Sequence, residues 1–212
     1  MKKLAIIGTK EFAQQIRGFA KRTGEYQFVG YLDDLVEVGT VIEGYPVMGK
    51  VSEVLKLYND GNFDCVFIAI GYTRFDLRES YYKAIKGKVP LANIIEPSAE
   101  LGDGVQIGEG VYIGRNTIID DNARIYDNVF IHRNCLIGHD SVIKEHTYLS
   151  GLDHFAGFCT VGSRTFIGLS VCVADHLIIG DDVWIGIGSI VAKNYKKPGK
   201  YLSQSMLLTK MD

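Results

Sequence analysis

From Ile95 onward an apolar residue returns at every sixth position. The series runs Ile95, Leu101, Ile107, Ile113 and so on to Val191, seventeen positions in one register, with Phe155 the single non-aliphatic member. The residue after it is often glycine, as at Gly102, Gly108, Gly114, Gly138, Gly162, Gly168, Gly180 and Gly186. The fifth position of each hexad is usually small or β-branched, as at Ala99, Ala123, Cys135, Ser141, Thr147 and Cys159. A helix repeats every 3.6 residues and a strand every two, so neither explains a strict six. One short strand plus one corner does. The aliphatic position points inward, the small position fits a crowded interior, and glycine near the corner eases the bend. Coils then stack at about the 4.8 Å spacing of neighbouring strands. The pattern predicts a parallel β-helix built from hexapeptides.

Residues 1–90 follow other periods. Lys3 to Gly8 (KLAIIG) is a short buried-type strand, and residues 10–22 form an amphipathic helix with Phe12, Ile16 and Phe19 on one face. Phe28 to Leu32 is a second strand ending in Asp33-Asp34, and Val51 to Tyr58 is helical. Asp64 to Ile70 is a third strand ending at Gly71, Arg74 to Lys86 is helical, and Pro90 to Ile95 leads into the repeat. Alternating strands and helices predict a small parallel α/β domain over residues 1–92, followed by the β-helix over residues 93–212. Ligands of such sheets sit at the carboxyl ends of the strands, here Gly8, Asp33-Asp34 and Gly71. The loop Gly8-Thr9-Lys10-Glu11-Phe12-Ala13 has one glycine where a dinucleotide fingerprint needs three, so NAD is not expected.

Composition narrows the function classes. A net charge of −2 without a run of Lys/Arg leaves no footprint for nucleic acid. No apolar stretch reaches the roughly 20 residues of a membrane span, and the N-terminus has no signal-peptide core, so the expected location is the cytoplasm. The cysteines Cys65, Cys135, Cys159 and Cys172 form no CxxC pair, which argues against a zinc ribbon or a disulfide framework. Cys135 and Cys159, at small positions, should be buried and inert.

The hexad run closely resembles the left-handed parallel β-helix of hexapeptide-repeat acyltransferases, in which three hexads make one triangular 18-residue coil. With the α/β domain in front, the chain looks like the sugar acyltransferases of the sialic acid O-acetyltransferase and UDP-amino-sugar (bacillosamine) N-acetyltransferase group. The local carriers are GYLDD at 30–34, AIG at 69–71, IGHD at 137–140 and AG at 156–157. The likeness implies a Rossmann-like domain that holds a nucleotide-linked amino sugar. Its base contacts fall on Asp33 and Asp34, the loop near phosphate or sugar on Lys10, Glu11 and Phe12, and the strand-end backbone on Gly71. It implies acetyl-CoA, or another acyl-CoA, against Tyr148, Gly157, Leu169 and Ile187, and a homotrimer with active sites between subunits. Two segments depart from the family. The loop at 8–13 is poorer in glycine and lacks a histidine, and the tail Gly199 to Ser205 lacks the usual proline and alanine.

Acyl transfer needs a base near neutrality and donors for an oxyanion. His139, followed by Asp140, has the right neighbour to orient an imidazole, and it occupies the family's catalytic position. Gly157 lies one coil further on the same column, where its N–H falls on the family's oxyanion donor. His132 is a second residue for the same cleft, and His146 and His176 read as solvated. Asp153 at a small position, beside His154, suggests a local bulge or a subunit contact. His132, His139 and His146 are seven apart, roughly 140° around an 18-residue coil, so they cannot share a metal ion within one subunit. The sequence leaves three functions open: N-acylation of a nucleotide-linked amino sugar, O-acetylation of a sialic-acid-type sugar, and a non-catalytic scaffold. A carbonic-anhydrase-like prism would need histidines that converge across subunits.

Overall fold

The computed structural model describes residues 1–203. Of the tail, Gln204 and Ser205 therefore lie outside the described residues. The N-terminal domain is a five-stranded sheet in the order β3-β4-β2-β1-β5. Its strands are β1 (Lys2–Ile7), β2 (Tyr26–Leu32), β3 (Val41–Ile42), β4 (Tyr45–Gly49) and β5 (Cys65–Ile68). All neighbours are parallel except the β3–β4 hairpin. That hairpin goes beyond the sequence reading. It is short, largely exposed and turns at Glu43-Gly44, both with positive φ, so no alternation announces it. Helix α1 (Glu11–Thr23) buries Ala13, Ile16 and Ala20 on its own sheet. Helices α2 (Val54–Asn59) and α3 (Phe75–Ile85) complete the domain.

The chain leaves this sheet through a single bridge, Leu91 to Val66, and enters the prism at Ile94–Ile95. The expected strand over 90–95 is thus split between two sheets. The prism has three faces of parallel rungs. Face 1 runs from Ile94–Ile95 to Gly199–Tyr201, face 2 from Glu100–Leu101 to Ile190–Val191, and face 3 from Gln106–Ile107 to Ile178–Ile179. Rungs pair with the rung 18 residues on, including Leu136↔His154↔Cys172, so no bulge interrupts the coil at His154; only at the end does the offset shorten to 16, where Val183–Ile185 pairs with Gly199–Tyr201. The hexad residues fill the interior.

Glycine after the inward aliphatic has a different cause from the one its position suggests. These glycines do not carry positive φ. They lie against the next coil: a Cβ on Gly138 would sit 2.6 Å from the carbonyl carbon of Ala156, and one on Gly114 2.6 Å from the nitrogen of Arg133. Positive φ falls two residues later, on Asn116, Asn122, Asn128, Asn134 and Asp140, residue types that tolerate the left-handed region. Polar small positions are satisfied by the coil above, as Thr147 Oγ1 donates to Gly162 O (2.7 Å) and Thr165 Oγ1 to Gly180 O (2.8 Å).

The α/β domain docks on face 1. The outward residues of that face form an aromatic ladder of Tyr112, Phe130, Tyr148, Phe166 and Trp184. Phe19 stacks on Tyr112 (5.0 Å), Phe67 on Phe130 (5.4 Å), and Tyr72 packs on Phe166 (4.4 Å). Arg78 of α3 is fully buried in this seam. Its guanidinium donates to Asn128 O (3.0 Å) and to His146 O, and lies 4.3 Å from the Phe130 ring centre. Burial pulls its pKa down to about 9, which still leaves it charged at neutral pH. His146, expected in solvent, is 6% exposed and hydrogen-bonded to Asn128 (2.9 Å). Burial, with Arg78 beside it, lowers its pKa to about 4.

Asp153 is fully buried, accepting from Val171 N (2.9 Å) and Gly151 N (3.3 Å). Burial raises its pKa from 3.8 to about 7, so the folded chain holds a proton there that the unfolded chain gives up. Its contribution to stability is therefore complete below pH 4 and declines as pH rises towards 7, by up to about 4 kcal/mol at 1.4 kcal/mol per pH unit. Asp153→Asn keeps an acceptor and removes the titration. In urea unfolding, its stability relative to wild type should rise steadily from pH 4.5 to 7.5.

Candidate active site

The predicted nucleotide-side residues converge. Lys10, Glu11, Phe12, Asp33, Asp34 and Gly71 all line one cavity of about 390 Å3 at the carboxyl ends of β1, β2 and β5. Two aspartates also build it. Asp33 accepts from Thr9 Oγ1 (2.7 Å) and from the N–H of Leu35 (2.8 Å), which ties the first loop to the second. Asp34 accepts from Val51 N (2.8 Å) and from the Tyr81 hydroxyl (2.8 Å), pushing the Tyr81 pKa well up together with its burial. Lys10 and Arg74 bring positive charge to the rim, while Glu11 opens the first turn of α1. An anion here meets the N-terminus of α1 and these two cations. Phe12 closes one end, its ring 5.4 Å from Phe130 and 5.7 Å from His132.

His139 stands elsewhere. Each coil runs from face 1 through a corner to face 2, through the corner at 138–141 to face 3, and back. His139 is thus on the corner that lies opposite face 1, where the α/β domain is docked. Its Nδ1 faces Asp140 Oδ2 at 3.0 Å, with the imidazole about half exposed. The ring lies over Gly157: a Cβ there would be 2.6 Å from Nε2. The N–H of Gly157 has no hydrogen-bond partner among the described residues. With Nδ1–H directed to Asp140, Nε2 is an acceptor beside a free backbone donor.

His132 does not share that cleft. It begins the corner between faces 1 and 2, packed against Tyr148 (4.9 Å) and Tyr112 (5.4 Å). Burial and neighbouring Arg133 lower its pKa to about 4, and its Nε2 has no partner. Of the predicted acyl-CoA contacts, Gly157 lies with His139. Leu169 and Ile187, 40% and 67% exposed, crown the corner between faces 1 and 2. Tyr148 is 7% exposed, its ring enclosed by Phe12, Tyr72 and Phe166. Its ring therefore belongs to the domain seam. Cys135 and Cys159 are buried, as expected, and burial pushes the Cys135 thiol up to about 12. Among the described residues no group of three His, Cys, Asp or Glu could hold a metal ion, and no helix is long and apolar enough to cross a membrane.

The aromatic ladder and the seam cation Arg78 were not singled out from sequence. A signal existed: an aromatic precedes the hexad residue at 112, 130, 148, 166 and 184, a period of one coil.

Residues 3–85 match the PglD N-terminal domain model and residues 89–211 the GMPPB C-terminal domain model. PerB from Caulobacter crescentus, solved with CoA and GDP-perosamine, is 26% identical, with a TM-score of 0.85 over 96% of this chain and 95% of that one. The acetyltransferase domain of PglB from Neisseria gonorrhoeae is 22% identical, with a TM-score of 0.83 over 96% of this chain and 97% of that one, and shares the fold. Among curated sequences, the UDP-3-O-acylglucosamine N-acyltransferase of Herminiimonas arsenicoxydans is 39% identical over 63 residues, 30% of this chain and 18% of that relative. The chain belongs through its larger part to the GMPPB C-terminal domain family, and with a PglD N-terminal domain in front it has the build of a hexapeptide-repeat sugar acyltransferase.

Proposed function

We propose that this protein transfers an acetyl group from acetyl-CoA to the amino group of a nucleotide-linked amino sugar. The observation that carries the reading is His139: an imidazole oriented by Asp140, seated on a glycine whose N–H is free. His139 Nε2 takes a proton from the sugar amine as its nitrogen attacks the thioester carbon. The oxygen, now negative, accepts from Gly157 N–H. The C–S bond then breaks, and the imidazolium returns the proton to the departing thiolate. PerB, similar over nearly the whole chain, is described with CoA and a GDP-linked amino sugar, which favours nitrogen over oxygen as the acceptor. The reaction is proposed for the cytoplasm, the location expected from the sequence.

The nucleotide cavity and His139 lie on opposite sides of one prism, so one copy cannot join them. Face 2 suggests how copies do. Beyond Glu100 on its first rung, its outward column is Ile118, Leu136, His154, Cys172 and Ile190, and Leu152, Leu169 and Ile187 adjoin it on the corner with face 1. Eight such side chains, seven of them apolar, make a surface suited to burial against another copy. Three prisms with face 2 turned inward would bring the His139 corner of each against the Leu169–Ile187 corner of the next. That second corner borders the face carrying the nucleotide domain. The site would then be complete only between subunits of a homotrimer.

Thiol release from acetyl-CoA, measured against UDP-, dTDP- and GDP-linked amino sugars, tests the reaction. Turnover on one of them should fall by about 100- to 10,000-fold in His139→Ala, the range for a lost general base. Acceptance of hydroxyl sugars alone would point to O-acetylation, and silence with every acceptor to a scaffold. Co-expression tests the shared site. Neither His139→Ala nor the cavity variant Arg74→Glu should be active alone. Mixed trimers should recover about a quarter of the wild-type rate, the chance of a productive neighbour pair. No recovery would sink the inter-subunit site.

A further inference from the structure

An aspartate stands where it could occupy the N–H of Gly157. At three other corners the equivalent N–H is capped by an aspartate one coil above. Asp103 N donates to Asp121 Oδ1 (2.8 Å), Glu109 N to Asp127 Oδ1 (3.0 Å) and Ser163 N to Asp181 Oδ1 (2.8 Å). Each capping residue stands 18 positions beyond its donor. Asp175 stands 18 beyond Gly157. The main chain keeps the same register there: His176 N donates to Gly157 O (3.0 Å), just as Asn122 N donates to Asp103 O (2.8 Å). Yet Asp175 makes no bond to Gly157. Its Oδ2 faces His176 Nδ1 at 3.1 Å instead.

His176 is itself held. Its ring stacks on Phe158 (4.7 Å, 27°), and the Phe158 ring meets His139 edge-on (5.0 Å, 87°). Phe158 has φ +58 and is 47% exposed, an unfavourable backbone region for a large side chain. In its own column the equivalent positions are Asn122, Asp140 and His176, and the other corners place Leu152 and Arg164 in the same backbone region. The Phe158 ring thus sits between those of His139 and His176.

We propose that His176 is a positioning residue that keeps the oxyanion donor open: it draws the Asp175 carboxylate away from the Gly157 N–H, and Phe158 holds His176 in place. Left to itself, Asp175 would do what Asp121, Asp127 and Asp181 do. It would occupy the donor that the acyl oxygen needs, and place a negative charge where the transition state develops one. The proposal rests on the acyl-transfer reading for its function, and on the corner geometry for its structure.

His176→Gly suits the test, since glycine adopts positive φ without strain. The crystal structure of this variant should show an Asp175 carboxylate oxygen within about 3 Å of Gly157 N, ordinary hydrogen-bond range. With the acceptor that wild type uses in the thiol-release assay, its kcat should fall about 100-fold, as when one oxyanion donor is lost, while KM for both substrates holds. Asp175→Ala, and the double variant Asp175→Ala/His176→Gly, have no competing carboxylate. Both should turn over within about threefold of wild type, as expected when the donor itself is intact. A merely structural role for His176 would leave the double variant as slow as the single one, and that result overturns the proposal. So does an Asp175 side chain that stays clear of Gly157 in the His176→Gly crystal. Should wild type transfer no acyl group at all, the reaction assigned above fails, and the crystal comparison still decides whether His176 restrains Asp175.

Discussion

Everything in the prism depends on main chain stacked on main chain with a spacing of 18 residues. Each rung donates to the coil above, so a residue is fixed chiefly by the residues 18 before and after it. Close stacking favours a residue without a Cβ after the inward aliphatic, which is glycine at eight of these positions, and imposes left-handed backbone two positions later, where asparagine recurs. Those two constraints return in every coil. They also make a column the unit of meaning: a side chain at a corner answers to its column before it answers to its sequence neighbours.

The columns explain how a uniform scaffold carries a specific site. On face 1 an aromatic column takes the α/β domain, with Arg78 sealed in the seam. A buried cation gains little net stability once its desolvation is counted, but it strongly penalises any other docking that would strand it. On face 2 the column is largely apolar and uncovered. On the corner opposite face 1, one column holds His139, Gly157 and Asp175, the proposed base, the proposed oxyanion donor and the carboxylate that would compete for it.

The same logic separates the histidines. His132, His139 and His146 are seven residues apart and fall on three corners. Two are packed away from water, by the aromatic ladder and by Arg78, and their pKa values drop accordingly. Only His139 of the three keeps its imidazole in solvent with a carboxylate at Nδ1. Chemistry is assigned by burial, which residue type alone does not reveal.

The sequence by itself determined the prism, its register, the α/β domain, the cavity-lining residues from Lys10 to Gly71, and the pairing of His139 with Asp140 and Gly157. Each of these is encoded by short-range periodicity or by an 18-residue repeat, and both survive in one dimension. Tertiary structure decided the rest. It docked the α/β domain on face 1, buried His146 and enclosed Tyr148, because those outcomes depend on which face meets which surface. It added the β3–β4 hairpin, whose exposed residues carry no alternation. It set the nucleotide cavity and His139 on opposite sides of the prism, since the position of a corner relative to a docked domain is a fact about three dimensions. And it turned Asp175 towards His176 rather than Gly157, a choice between two hydrogen bonds that only a folded corner can offer.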